Sequence, residues 1–170
     1  MKCFLLGVLG FVVAGGICAG VLYTQMHGFN ARGVRPGGFE KFMVHYWMRG
    51  GMPSGVANTP DPLPVTPENI AAGRDFYVTH CAFCHGNNGA GKTEVAAGMY
   101  PRVPNLRDEA DLTDGQLFYI VREGIRYSGM PGWGPPDNRD WQLVQFIRYL
   151  PKTTPQDLQQ MDAVNHLGAQ

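Results

Sequence analysis

From Cys3 to Leu22 apolar residues follow one another with no charged residue among them. About 20 such residues, wound as a helix, span the hydrocarbon core of a bilayer, so the stretch predicts an N-terminal transmembrane anchor within residues 1–26. An exporting signal peptide is the competing reading, because Ala14-Gly15-Gly16 supplies the small residues of a cleavage site. Apolarity running on from Ile17 to Leu22, beyond the roughly 7 to 15 residues of a signal core, favours a retained anchor. Gly16 and Gly20 form a small-xxx-small pair that would admit another membrane helix, although glycine is also common in membrane helices for its own sake.

Residues 27–65 read as a linker. Gly28, Gly33, Pro36, Gly37 and Gly38 make its first part a tether, and Pro53, Pro60, Pro62 and Pro64 stiffen its last part over 50–65. Between them Phe39, Phe42, Met43 and Tyr46 recur at i, i+3, i+4 and i+7, which predicts a short amphipathic helix over 39–49. Three occupants suit its apolar face: the lipid interface, a partner, or the surface of the domain that follows.

That domain is expected at 66–151, with a C-terminal tail at 152–170. Thr66, Pro67 and Glu68 supply an N-cap, a first-position proline and a first-turn acid for a helix reaching about His80. Thr113-x-x-Gln116 is a capping box ahead of Leu117, Phe118, Ile120 and Val121, with Gly124 placed to end the helix. A third helix starts near Asn138 or Asp140, carries Trp141, Leu143, Val144, Phe146, Ile147 and Leu150, and stops at Pro151. No alternating pattern of strand length intervenes, and the expected fold is all-α.

Composition narrows the chemistry. Lys plus Arg equals Asp plus Glu at 14 each, which removes the charge argument for a nucleic-acid partner. Of four cysteines, Cys3 and Cys18 lie in the apolar stretch, whereas Cys81 and Cys84 stand together before His85. Cys81-Ala82-Phe83-Cys84-His85 is a Cys-x-x-Cys-His motif, the pattern of covalent c-type haem attachment: two thiols add to the vinyl groups and the histidine ligates iron. A thioredoxin-like dithiol would need a β-α-β setting and half of a zinc site would need a second ligand pair, and the sequence offers neither.

With these residues in place the chain resembles the class I c-type cytochromes, here a membrane-anchored monohaem variety, from Thr66 to Leu150. Gly73, Tyr77 and Cys81 recur at four-residue steps as in the family's first helix, where the glycine admits a close crossing by the last helix, matched here by Leu143-x-x-Phe146. Pro104-Asn105-Leu106 looks like the family's Pro-x-Leu, which implies that the Pro104 carbonyl orients His85 and that Leu106 lies on the haem. Gly129-Met130-Pro131 stands where the family places its second axial ligand. The resemblance therefore implies one covalent haem c with His85 and Met130 as metal ligands. Met99, Met43 and Met48 read as packing residues. Tyr100, Arg102, Arg126 and Trp133 flank the landmark loops and are candidates to donate hydrogen bonds to the haem propionates, or are otherwise ordinary packing residues. His80, His27, His45 and His166 are read as surface or packing residues.

The function implied is one-electron transfer, without catalysis by the chain itself and without a small-molecule substrate, as a carrier or as the cytochrome subunit of a membrane respiratory or dehydrogenase complex. A haem peroxidase or gas sensor with a labile Met130 is the alternative. Partners are then the membrane and redox proteins. Lys2 ahead of the anchor and Arg32, Arg35 and Lys41 behind it, taken alone, would put the domain in the cytoplasm. The resemblance implies the reverse, a single-pass protein of the cytoplasmic membrane with its haem domain on the periplasmic side, where c-type haem is attached.

Overall fold

The computed structural model describes residues 2–26, 31–32, 37–134, 137–165 and 168. All regular structure among them is helical. The chain divides into two units, residues 1–34 and 35–170.

In the first unit α1 spans Lys2–Met26. Its stretch Phe4–Tyr23 is long and apolar enough to cross a membrane, and its side chains are exposed throughout. Cβ positions built on Gly16 and Gly20 meet nothing within 4 Å, so the small-residue face stands open.

The second unit begins with α2, Gly38–Gly50. The helix expected over 39–49 is present, but its aromatic face is not covered: Phe39, Phe42, Tyr46 and Trp47 are all more than 60% exposed.

The core of the second unit is built on two crossing helices, α3 (Pro67–His80) and α7 (Asn138–Tyr149). Thr66 caps α3, its Oγ accepting the Asn69 N–H at 3.2 Å, and Pro67 begins the helix where an N–H would have no partner. Asp137 caps α7 by accepting the Arg139 N–H at 2.7 Å. The helices meet at Gly73, where a Cβ would lie 1.9 Å from the Gln142 carbonyl oxygen and 3.0 Å from Phe146 Cβ. The missing side chain sets the distance between the helices. One turn further on, Tyr77 is fully buried with its ring 5.2 Å from that of Phe146. A third helix, α6 (Asp114–Glu123), closes this core through Phe118 stacked on Trp141 at 4.2 Å, together with Leu117 and Val121. Its capping box, Thr113 with Gln116, is formed as expected, and Gly124 ends it at φ 71°.

Two segments that the sequence reading left without a place in the domain lie against it. Within 50–65, a 3-10 turn at Val56–Asn58 sits on α6, the Val56 carbonyl coming so close that a Cβ on Gly115 would be 2.1 Å away. Nearby, the Gln145 amide of α7 donates to Asp61 at 2.8 Å. Beyond 152, the segment read as a tail carries α8, Pro155–Val164, with a Thr154/Asp157 capping box. Met161 is 1% exposed and belongs to the core. Asn87 fastens the end of α8 by donating to Asp162 Oδ1 at 2.6 Å and to the Asn165 carbonyl at 3.1 Å, and Asn165 in turn donates to the Val78 carbonyl at 3.0 Å.

Candidate functional site

α3 hands directly over to the cysteine motif. The Cys81 N–H donates to the Tyr77 carbonyl at 2.8 Å, and the Cys84 and His85 N–H groups both turn back to the Cys81 carbonyl, at 3.1 and 2.9 Å. One helical turn, α4 (Ala82–His85), therefore carries Cys84 and His85 immediately after Cys81. The Tyr77 hydroxyl fixes the exit of this turn by donating to the Gly86 carbonyl at 2.7 Å.

No disulfide joins Cys81 and Cys84. Burial, with the neighbouring Cys84 adding to it, pushes the Cys81 thiol up to about 12, and burial also raises Cys84. A thioredoxin-like dithiol needs a β-α-β setting, and among the described residues the pair is flanked by helices alone.

His85 Nδ1 is buried and closes no hydrogen bond. Burial lowers the basicity of this imidazole, and the Pro104 carbonyl opposes that effect. The Pro104 carbonyl is thus near the ring but closes no hydrogen bond to Nδ1. Its position follows from the glycine-rich turn after the motif. The Gly91 N–H donates to the His85 carbonyl at 2.7 Å, while the Leu106 N–H donates to the Gly89 carbonyl at 2.9 Å. Gly91, at φ 64°, lies so close under Pro104 that a Cβ there would stand 2.7 Å from the Pro104 oxygen. The turn thus ties Pro104, expected to orient His85, and half-buried Leu106, expected on the haem, to the segment that carries His85. The sequence reading did not single out Gly89 and Gly91; the run Gly86-Asn87-Asn88-Gly89-Ala90-Gly91 was the available signal.

Met130 lies on the loop after α6. The Ile125 N–H donates to the Met130 carbonyl at 3.2 Å, and the Met130 N–H donates to Ser128 Oγ at 3.1 Å. The loop crosses the end of α6 tightly, since a Cβ on Gly124 would approach Gly132 N to 2.5 Å. Half-buried Met99 packs its methyl group against Gly129, where an added Cβ would meet it at 2.0 Å. Met99 is accordingly a packing neighbour of the Met130 loop.

The four propionate candidates do not form one cluster of free donors. The Tyr100 hydroxyl donates to Glu40 of α2. Trp133 is half-buried, edge-on to Phe76 at 5.5 Å and to His80 at 5.0 Å. Arg102 is exposed, and Arg126, also exposed, lies over the Tyr127 ring at 6.0 Å. His80 stacks on Phe76 at 4.3 Å and shares its Nδ1 with the Thr79 hydroxyl and the Phe76 carbonyl, in keeping with a packing role. His27 and His166 lie outside the described residues, as does the side chain of His45.

Residues 68–147 match the family model described as cytochrome c oxidase, cbb3-type, subunit III. Over 82 residues the chain is also 30% identical to the quinohemoprotein alcohol dehydrogenase ADH IIB of Pseudomonas putida, covering 48% of this chain and 11% of that protein. The chain thus spans about a tenth of the length of that relative. Over residues 68–147, a little under half of the chain, the protein is therefore similar to a c-type cytochrome domain, in keeping with the helical architecture. A domain of that kind implies a covalently bound haem c, and Cys81 and Cys84 lie within the matched residues. Cys81 and Cys84, three residues apart with no disulfide between them, and the adjacent half-buried His85, whose Nδ1 is buried without a bond, fit this group.

Proposed function

We propose that the protein is a one-electron carrier whose iron is held by His85 and Met130. It serves a membrane donor and acceptor, either alone or as the cytochrome subunit of a respiratory or dehydrogenase complex. The observation that carries the His85 assignment is its unbonded, buried Nδ1 near the Pro104 carbonyl, and Met130 is assigned from its place in Gly129-Met130-Pro131 on the loop after α6. An imidazole that ligates metal through Nε2 keeps its proton on Nδ1, and an acceptor there fixes the ring and strengthens the ligand. Pro104, held by Gly91 and by the Leu106 to Gly89 bond, is the carbonyl that would accept that proton once the ring is turned onto the iron.

When bound, the haem supplies an iron centre that exchanges one electron between ferric and ferrous states, and thioether ligation raises its potential. On the protein side, Ser128 and Ile125 hold the backbone of Met130 from both sides and limit its movement away. Cys81 and Cys84 fix the group to one helical turn, and Leu106 and Trp133 contribute apolar cover. α1 is retained as a single-pass anchor, with the domain on the outer face of the cytoplasmic membrane.

Met130→Ala in the haem-loaded full chain is expected to abolish the far-red sulfur-to-iron absorption, to lower the reduction potential, and to let the reduced protein bind carbon monoxide. The unmodified reduced protein is expected to bind none. Retention of the far-red band in the variant would remove Met130 as ligand. Carbon monoxide binding by the unmodified protein would replace the carrier reading with the labile-ligand sensor or peroxidase.

A further inference from the structure

α2 has an apolar face that the domain leaves bare. On a helix with 100° between successive residues, Phe39, Phe42, Met43, Tyr46 and Trp47 fall within one arc of about 140°. Four of them are aromatic and more than 60% exposed, and Phe42 and Tyr46 stack on each other at 6.2 Å. Glu40, beyond the edge of that arc, is half-buried and accepts the Tyr100 hydroxyl, so the attachment to the domain uses a polar group and leaves the aromatics outward. An apolar patch of this kind is costly in water and marks a surface that something covers.

We propose that the covering surface is the bilayer itself: α2 lies in the lipid–water interface, its aromatic arc sunk to the level of the headgroup boundary. The inference rests on the reading of α1 as a retained anchor. Three observations favour lipid over a protein. Eleven residues separate Met26 at the end of α1 from Gly38 at the start of α2, and at no more than about 3.6 Å each they keep α2 within about 40 Å of the end of the span. The arc is made of Phe, Tyr and Trp, the side chains that membrane interfaces favour, because their rings carry apolar area and, in Tyr and Trp, a polar edge. Glu40 is engaged by Tyr100, and the other charged residues of α2 are the cations Lys41 and Arg49, which complements phosphate headgroups.

The Glu40–Tyr100 bond gives this placement a consequence. Tyr100 lies on the segment that leads to Pro104 and Leu106, so α2 would hold the haem-binding side of the domain in one attitude to the membrane rather than let it swing on its linker.

Site-directed nitroxide labelling of the haem-loaded full chain tests this in vesicles of phosphatidylcholine and phosphatidylglycerol. Cys3 and Cys18 are replaced by Ser, and one label is introduced at Phe42→Cys and, separately, at Lys41→Cys on the opposite face. The Phe42→Cys label should collide several-fold more with lipid-soluble oxygen than with a water-soluble nickel chelate, and the Lys41→Cys label should show the reverse. Equal exposure of both labels to the chelate would put α2 in water and overturn the proposal. Protection of the Phe42→Cys label from both reagents would mean a protein contact and would also overturn it. Flotation with the vesicles after carbonate extraction checks the anchor separately: protein that floats with α2 in water keeps the anchor and loses the proposal, whereas protein that stays behind loses both. An unchanged haem absorption spectrum shows that the labelled domain is folded.

Discussion

Gly73 sets how closely α3 and α7 approach, and the obstacle to any larger residue is backbone. A methyl group at this position would stand 1.9 Å from the Gln142 carbonyl oxygen, an atom fixed within α7 that has no rotamer by which to retreat. Overpacking costs about 1–3 kcal/mol in a well-filled core, and a backbone obstacle puts Gly73→Ala at or above the upper end of that range. The expected outcome is a lower midpoint of denaturant unfolding for the haem-loaded protein, with Gly98→Ala nearly neutral because its nearest neighbour stands 3.5 Å away. Gly73 was legible through the resemblance to class I c-type cytochromes, since it lies four residues before Tyr77 and eight before Cys81 as in that family's first helix. Gly91 was not legible in the same way. Its role depends on the Pro104 carbonyl thirteen positions later, and that closeness comes from the loop's path rather than from any periodicity.

α3, α6 and α7 were readable because caps and apolar periodicity agree at each: Thr66, the Thr113/Gln116 box and the Pro151 stop mark their ends. α8 has good caps but sparse apolar content, and Met161 is buried only because α3 lies beneath it, which no local pattern announces. Tertiary contact likewise recruits Val56–Asn58 and Asp61 from a proline-rich stretch that reads locally as linker. The caps lead to a pH prediction. The Thr154 N–H, and then its hydroxyl, hold the Asp157 carboxyl below its ordinary 3.8, and the Arg139 side chain does the same for Asp137. Each carboxyl binds a proton less readily folded than unfolded. Their stabilisation is therefore fully present above about pH 4 and is lost as pH falls below 3.8 through the depressed folded values. Asp140 runs the other way, since burial raises its pKa and acidification relieves that penalty. Asp137 is exposed and Asp157 only half-buried, so each contributes less than about 1 kcal/mol. Amide exchange between about pH 6 and pH 3 should show the first turns of α7 and α8 opening ahead of α3, and Asp157→Asn should remove the pH dependence at α8 alone.

At the scale of the molecule, the second unit consists of a helical core with two long loops laid beside it, and the two halves are stabilised differently. α3, α6 and α7 bury Tyr77, Phe118, Trp141, Leu143, Val144 and Phe146 against one another. The loops that carry Pro104, Leu106, Met130 and Trp133 are held by the bonds of Leu106 to Gly89, Ile125 to Met130 and Trp133 to Val121; Leu106, Met130 and Trp133 remain only half-buried and Pro104 is exposed. A haem fixed at Cys81 and Cys84 would supply the apolar surface that those side chains lack. Domains of this size bury only about 60% of the surface their unfolded chain exposes, and total stability is about 5–15 kcal/mol, so losing contacts from one whole side removes a large share of it. Cys81→Ser combined with Cys84→Ser, which removes the attachment while changing side-chain volume little, is therefore expected to leave a poorly ordered chain. Its far-ultraviolet circular dichroism should fall well below that of the haem-loaded protein, and the loss of its sharp thermal transition should accompany the loss of signal. Because α1 contributes helix signal of its own and does not depend on the haem, the comparison is made in the same detergent for both proteins. A double variant that kept native helix content and a cooperative transition would mean that the α3–α7 crossing, with α8 fastened through Asn87, folds the domain without its cofactor.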